Sequence, residues 1–155
     1  MQNTLQALVA FGANLSQKDA SPEQTIVAAM ACLEMPSDVD GICVKACSRM
    51  FLTPCFPKGA GPDYVNAAAV LLVPHDISPY ALLGHLHAVE ARFDRSRDTR
   101  WGPRTLDIDL LAMGDLVLPD PTTQTHWRDL APADQSCLSP PELILPHPRL
   151  QDRAF

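Results

Sequence analysis

A chain of 155 residues is long enough for one compact domain with a sizeable buried core. With 46% hydrophobic and 19% charged residues the composition is that of a globular protein; no apolar run reaches membrane-span length and the first residues lack a basic-then-apolar signal pattern, so the expected location is the cytoplasm. A net charge of −6 argues against a general nucleic-acid binder, which needs a basic face.

Residues 4–12 place Leu5, Ala7, Val9 and Phe11 on one face and predict a first strand, broken by Gly12-Ala13-Asn14. Ser21 can cap a helix, Pro22 suits its first position and Gln24 completes a capping box, so a helix is predicted from there to about Leu33, stopping before Pro36. Residues 41–52, with Ile42, Val44 and Ala46 on one face, predict a second strand, and residues 64–73 a third. Between them, residues 53–63 hold Pro54, Pro57, Gly59, Gly61 and Pro62, which makes that segment a loop of non-repetitive backbone.

Ser78-Pro79 opens a second helix by the same cap-and-proline chemistry, with Leu82, Leu83, Leu86, Val89 and Phe93 as its apolar stripe. An arginine-rich loop follows, then a fourth strand over residues 105–113. Beyond Gly114 the chain turns proline-rich (Pro119, Pro121, Pro132, Pro140, Pro141); residues 120–141 are expected to form a long surface excursion ahead of a short strand at 143–145. The order strand, helix, strand, strand, helix, strand is the split β-α-β pattern: an α+β, ferredoxin-like antiparallel sheet with helices packed on one face and an extra C-terminal hairpin or loop region. One domain spanning residues 1–155 is expected, and the architecture alone does not fix an activity.

Five cysteines (Cys32, Cys43, Cys47, Cys55, Cys137) are an odd number at irregular spacing. Cys43 and Cys47 lack zinc-knuckle spacing, so all five read as buried or idle thiols in a reducing compartment.

Charge placement says more than charge total. Of 12 basic residues, five arginines (Arg92, Arg95, Arg97, Arg100, Arg104) fall in one short stretch. An acidic protein with one concentrated cationic segment is suited to holding a small polyanion; the alternative is a solvated helix end, since Asp94 and Asp98 lie among the arginines. Next comes Arg100-Trp101-Gly102-Pro103-Arg104-Thr105-Leu106-Asp107-Ile108-Asp109-Leu110-Leu111. Residues two apart on a strand project from one face, so Asp107 and Asp109 stand side by side with Leu106, Ile108 and Leu110 turned away. Adjacent carboxylates repel unless a proton or cation lies between them, and hard oxygen ligands suit magnesium, which also takes substrate phosphates as ligands. The guanidinium fork of the nearby arginines matches phosphate oxygens. A bare D-x-D strand facing water is the competing reading; Arg95, Arg97, Arg100 and Arg104 in the preceding loop weigh against it.

The stretch RWGPRTLDIDLL closely resembles the most diagnostic segment of the 6-hydroxymethyl-7,8-dihydropterin pyrophosphokinase family of folate biosynthesis. Further matches occur in the family's order: Gly12-Ala13-Asn14-Leu15, Thr53-Pro54, Asp63-Tyr64-Val65-Asn66, Leu145-Pro146-His147-Pro148-Arg149 and Arg153-Ala154-Phe155. The resemblance covers nearly the whole chain. It implies transfer of pyrophosphate from ATP to a pterin hydroxymethyl group with release of AMP, and two magnesium ions held by Asp107 and Asp109. Arg95 and Arg104 match phosphate-contacting arginines, with Arg97 as a loop partner. Tyr64 and Phe155 match a pair that stacks on the pterin, Asn66 the side chain that reads the ring, and Thr53, Pro54 and Cys55 the pterin-side loop; Phe56 and Trp101 are candidate lids. Glu90, Leu110, His147 and Arg153 match nucleotide-contacting positions. ATP and the pterin are the expected partners, with no nucleic acid and no membrane, acting on a monomer.

Several departures accompany the match. Cys55 stands where the family commonly has a second proline, Asp94 where a glycine usually precedes the loop arginines, and Glu142 where some members carry a basic nucleotide contact. The 120–141 excursion is longer than the family pattern. Relatives continue past the terminal R-x-F, whereas this sequence stops at Phe155, so a less completely closed pterin pocket is expected. A non-catalytic nucleotide- or pterin-binding module is the alternative function, and an RNA-binding ferredoxin-like domain a weaker one, since no aromatic-basic strand face is visible.

Overall fold

The computed structural model describes residues 3–16, 20–35, 41–55, 61–93 and 105–152. Strand β1 (Thr4–Ala13) alternates as predicted, with Ala7, Val9, Phe11 and Ala13 buried. Helix α1 (Pro22–Leu33) begins with the predicted capping box: the Gln24 amide donates to Ser21 Oγ at 3.3 Å and the Ser21 amide donates to Gln24 Oε1 at 2.9 Å. Helix α2 (Pro79–Arg92) is capped by Ser78 Oγ, which accepts from the Ala81 amide at 3.1 Å. Strands β4 (Tyr64–Pro74) and β5 (Asp107–Met113) complete the expected frame.

The second expected strand is interrupted. Residues 41–52 form β2 (Cys43–Cys47) and β3 (Phe51–Thr53), both antiparallel to β4. The register slips between Val44 and Ala46, which takes Ala46 out of the line of Ile42 and Val44. Ser48 then inserts its hydroxyl into the ladder, accepting from the Ala68 amide at 2.9 Å, while its own amide donates to the Ala68 carbonyl at 2.8 Å. A serine that competes locally for backbone groups is a physical reason for the break.

The sheet order is β2-β4-β1-β5, with β3 also on β4, and every pairing is antiparallel. Taking β4 and β5 as third and fourth strands of the split motif, this is the ferredoxin-like arrangement. Both helices cover one face. Ile26, Ala29 and Leu33 of α1 and Leu82, Leu86 and Val89 of α2 meet Val9, Phe11, Leu71, Val73, Ile108 and Leu110 in a single core. The other face carries Leu8, Val70 and Leu72 toward one end and the small and polar residues Gly12, Ala10, Ala68 and Asn66 toward the other.

The 120–141 excursion is helical rather than irregular. Helix α3 (Pro121–Arg128) starts under Asp120, whose Oδ1 accepts from the Thr122 and Thr123 amides at 2.9 and 3.0 Å, and helix α4 (Pro132–Cys137) follows. Pro121 and Pro132 both occupy the first turn, where the missing amide costs nothing. The short strand expected at 143–145 is a single bridge, Leu118↔Leu145. All five cysteines are thiols.

Candidate functional site

The open face of the sheet brings Asn66, Asp107 and Asp109 into two neighbouring rows. Cross-strand partners point to the same side of a sheet. Asn66 lies opposite Phe51 on one side and Gly12 on the other, and Gly12 lies opposite Asp107. One step along, Ala68 lies opposite Ala10, and Ala10 opposite Asp109. The two carboxylates and the Asn66 amide thus share a surface, separated only by glycine and alanine. Their alternation is visible in burial: Asp107 is half-buried and Asp109 exposed, while Leu106, Ile108 and Leu110 are buried on the helix side.

Gly12 keeps this surface open. A Cβ there would sit 3.1 Å from Asn66 Oδ1 and 3.8 Å from Tyr64 Cδ1. Asn66, 7% exposed, donates through Nδ2 to Thr53 Oγ1 at 2.7 Å, which orients its amide. Tyr64 and Thr53 are directly paired and both half-buried. Asn14, 5% exposed, donates to the Pro62 carbonyl at 3.1 Å, and buried Cys55 donates its thiol to the Gly61 carbonyl at 3.0 Å. The first bond ties the far end of the middle loop to the end of β1, and the second ties that loop's two ends to each other. Pro54 is exposed at its start. In the sequence Gly12 and Asn14 stand out as a strand-breaking and family-matching segment; their proximity to Asn66 and Pro62 depends on register and loop path.

Glu90 is 1% exposed and accepts from the Ile108 amide at 2.7 Å through Oε1. Ile108 sits between the two aspartates on β5, so this carboxylate takes an outward amide of the strand that ends the sheet among the described residues. Leu110, two residues on, has its side chain in the core. A nucleotide contact there would run through the main chain, which in an antiparallel edge strand faces the same way as that of Ile108.

His147 reaches the same edge. Its amide donates to the Leu111 carbonyl at 2.7 Å, next to a bulge that skips Leu111 in the β1–β5 register. Its Nδ1 accepts from the Arg149 amide at 3.2 Å, so the neutral ring carries its proton on Nε2. Beside it lies a cleft of about 420 Å³ lined by Leu83, Trp127, Leu138, Glu142, Ile144 and His147 among others. That size is within the range of small-molecule sites.

Arg95, Arg97, Arg104, Phe56, Trp101, Arg153 and Phe155 lie outside the described residues. Among the described residues no three His, Cys, Asp or Glu side chains gather as a metal cage. Two strand-borne carboxylates nevertheless fit a hard cation that completes its shell with water and substrate oxygens. No helix of the described residues is long and apolar enough to cross a membrane.

Residues 8–155 match the profile of the family described as 7,8-dihydro-6-hydroxymethylpterin-pyrophosphokinase. Several relatives carry the name 2-amino-4-hydroxy-6-hydroxymethyldihydropteridine pyrophosphokinase, among them the following three. The Synechocystis protein is 38% identical over 117 residues, covering 76% of this chain and 48% of its own length. That of Pseudomonas aeruginosa is 33% identical over 147 residues, covering 95% and 73%. That of Pseudomonas putida is 36% identical over 118 residues, covering 76% and 90%. This chain thus spans about half the length of the first of these relatives and most of the other two.

Proposed function

Since this chain belongs to the 7,8-dihydro-6-hydroxymethylpterin-pyrophosphokinase family, we propose that it transfers pyrophosphate from ATP to 6-hydroxymethyl-7,8-dihydropterin, releasing AMP, in folate biosynthesis. The observation that carries this beyond the family name is the shared face. Asp107 and Asp109 are separated from Asn66 by Gly12 and Ala10 alone, so a phosphate chain held at one side can meet a ring held at the other.

In this reading the hydroxymethyl oxygen bonds to the β-phosphorus, and the bond from that phosphorus to the oxygen bridging to the α-phosphate breaks. Asp107 and Asp109 are the residues that would hold magnesium, two ions by the family's pattern. When bound, these ions neutralise charge on the phosphates and acidify the attacking hydroxyl. Arg95, Arg97 and Arg104 bind phosphate oxygens by bidentate contacts. Asn66, oriented by Thr53, reads the polar edge of the pterin. Tyr64 and Phe155 stack on its faces, and the 53–55 loop with Phe56 and Trp101 encloses it. The adenosine end occupies the cleft beside His147, with Leu83 as an apolar wall; the Leu110 main chain and Arg153 are its further contacts by their match to the family's nucleotide positions. Glu90 acts by holding the β5 edge that this nucleotide lies along.

The protein is read as a cytoplasmic monomer that needs neither nucleic acid nor membrane. The test is direct: incubate it with ATP, magnesium and the hydroxymethyldihydropterin and follow AMP. AMP formation that requires all three supports the proposal. Tight binding of both substrates without AMP would favour the non-catalytic module instead.

A further inference from the structure

His147 is held from several sides at once. Prolines flank it, and a proline fixes its own φ and restricts the residue before it, so Pro146 and Pro148 stiffen the backbone of Leu145 and His147. The Leu118↔Leu145 bridge anchors the entry to this turn, and Leu111 takes the His147 amide. What remains is the Pro146 carbonyl, immediately before the histidine. Gln124 of α3 donates to it through Nε2 at 3.1 Å, and Gln124 is 8% exposed. One turn further along α3 the Trp127 carbonyl accepts from Arg149 Nη2 at 3.1 Å, just after the histidine. Arg149 is braced again by Asp152, whose Oδ2 lies 3.6 Å from Nη1. Helix α3 therefore grips the turn on both sides of His147.

We propose that Gln124 is a positioning residue for His147: by fixing the Pro146 carbonyl it sets the imidazole at the mouth of the 420 Å³ cleft in the orientation that meets the nucleotide. The excursion thereby gains a part in the reaction, as a splint for nucleotide binding with no contact to the reacting atoms. This rests on reading His147 as a nucleotide contact, and the two are separable by experiment.

Steady-state kinetics of Gln124→Leu, His147→Ala and the double variant, with thermal unfolding of each, make the test. Gln124→Leu keeps the bulk and removes the donor. The expected result is a rise of about three- to tenfold in the KM for ATP, as for loss of one hydrogen bond, with kcat and the pterin KM within about twofold. Because Gln124 acts through His147, its substitution adds nothing to the ATP KM in the His147→Ala background. If His147→Ala alone leaves the ATP KM unchanged, the nucleotide reading of His147 fails and the positioning role with it. If His147→Ala raises it while Gln124→Leu does not, or if the double variant multiplies the two effects, only the positioning role falls. Should Gln124→Leu not fold, Gln124→Asn, one methylene shorter, withdraws the same donor and is judged by the same cycle.

Discussion

Replacing Glu90 with leucine separates a role in holding the sheet from a role in touching the nucleotide. The carboxylate is 1% exposed and its Oε1 lies 2.7 Å from the Ile108 nitrogen, at the strand position flanked by both aspartates. A hydrogen bond to a charged group contributes about 1.5–3 kcal/mol, and a buried amide left without its acceptor costs about 1–3 kcal/mol. Relief of the desolvation of a buried carboxyl group offsets part of this, so a net loss of about 2 kcal/mol is expected. For a chain of this size that lowers the unfolding midpoint by roughly 4–8 °C. With the β5 edge released, the carboxylates lose their fixed spacing, and displacement of a reacting constellation by about 1 Å costs on the order of 10² in rate. Glu90→Gln, which retains an oxygen acceptor, is expected to lose less on both counts. Urea unfolding without any ligand, followed by circular dichroism, and AMP release at saturating substrates are the two assays. Unfolding of Glu90→Leu at the wild-type urea concentration would refute the reasoning, because the Ile108 bond would then not be what secures the edge.

Asp107→Asn and Asp109→Asn, on the open face, are expected to lower AMP release by a factor of at least about 10² while leaving the far-ultraviolet spectrum unchanged. Wild-type turnover by either would remove that residue from the chemistry. Gly12→Ala places a methyl 3.1 Å from Asn66 Oδ1, so the amide must shift; the pterin KM is expected to rise about tenfold with the ATP KM unchanged. The Thr123 hydroxyl and the Thr123 and Thr122 amides hold the Asp120 carboxyl below its usual range. A depressed acid stabilises the fold above its unfolded pKa and ceases to do so as pH falls through the folded one. The stability gap between wild type and Asp120→Ala, measured in urea, is thus expected at neutral pH and to shrink in acid below the ordinary aspartate range; a gap unchanged at low pH would count against the charged cap.

Local chemistry was readable from the chain wherever it was self-contained. Ser21 and Gln24 announce their helix, Ser78-Pro79 the next, and the Asp107/Asp109 alternation follows from strand geometry alone. Two features escaped for physical reasons. The proline-rich 120–141 excursion holds two helices because Pro121 and Pro132 fall in first turns, which accept them, and the strand expected over 41–52 is interrupted because the Ser48 hydroxyl enters the ladder. The site itself is a matter of register. Nothing in the sequence says that Gly12 lies between Asn66 and Asp107, or that Gln124 reaches Pro146, because both depend on how distant segments are stacked. The arginines of the 95–104 stretch are assigned by resemblance and charge, and lie outside the described residues.

The extra residue in β5 ties two halves of the molecule's chemistry together. Leu111 drops out of the ladder with β1, and its carbonyl is thereby available to the His147 amide. Asp109 is only two positions earlier on the same strand. The histidine turn is therefore fastened to the same strand that carries the acidic pair. Variation at one end of this strand is constrained by the other, and an insertion or deletion at 111 would unfasten both in a single event.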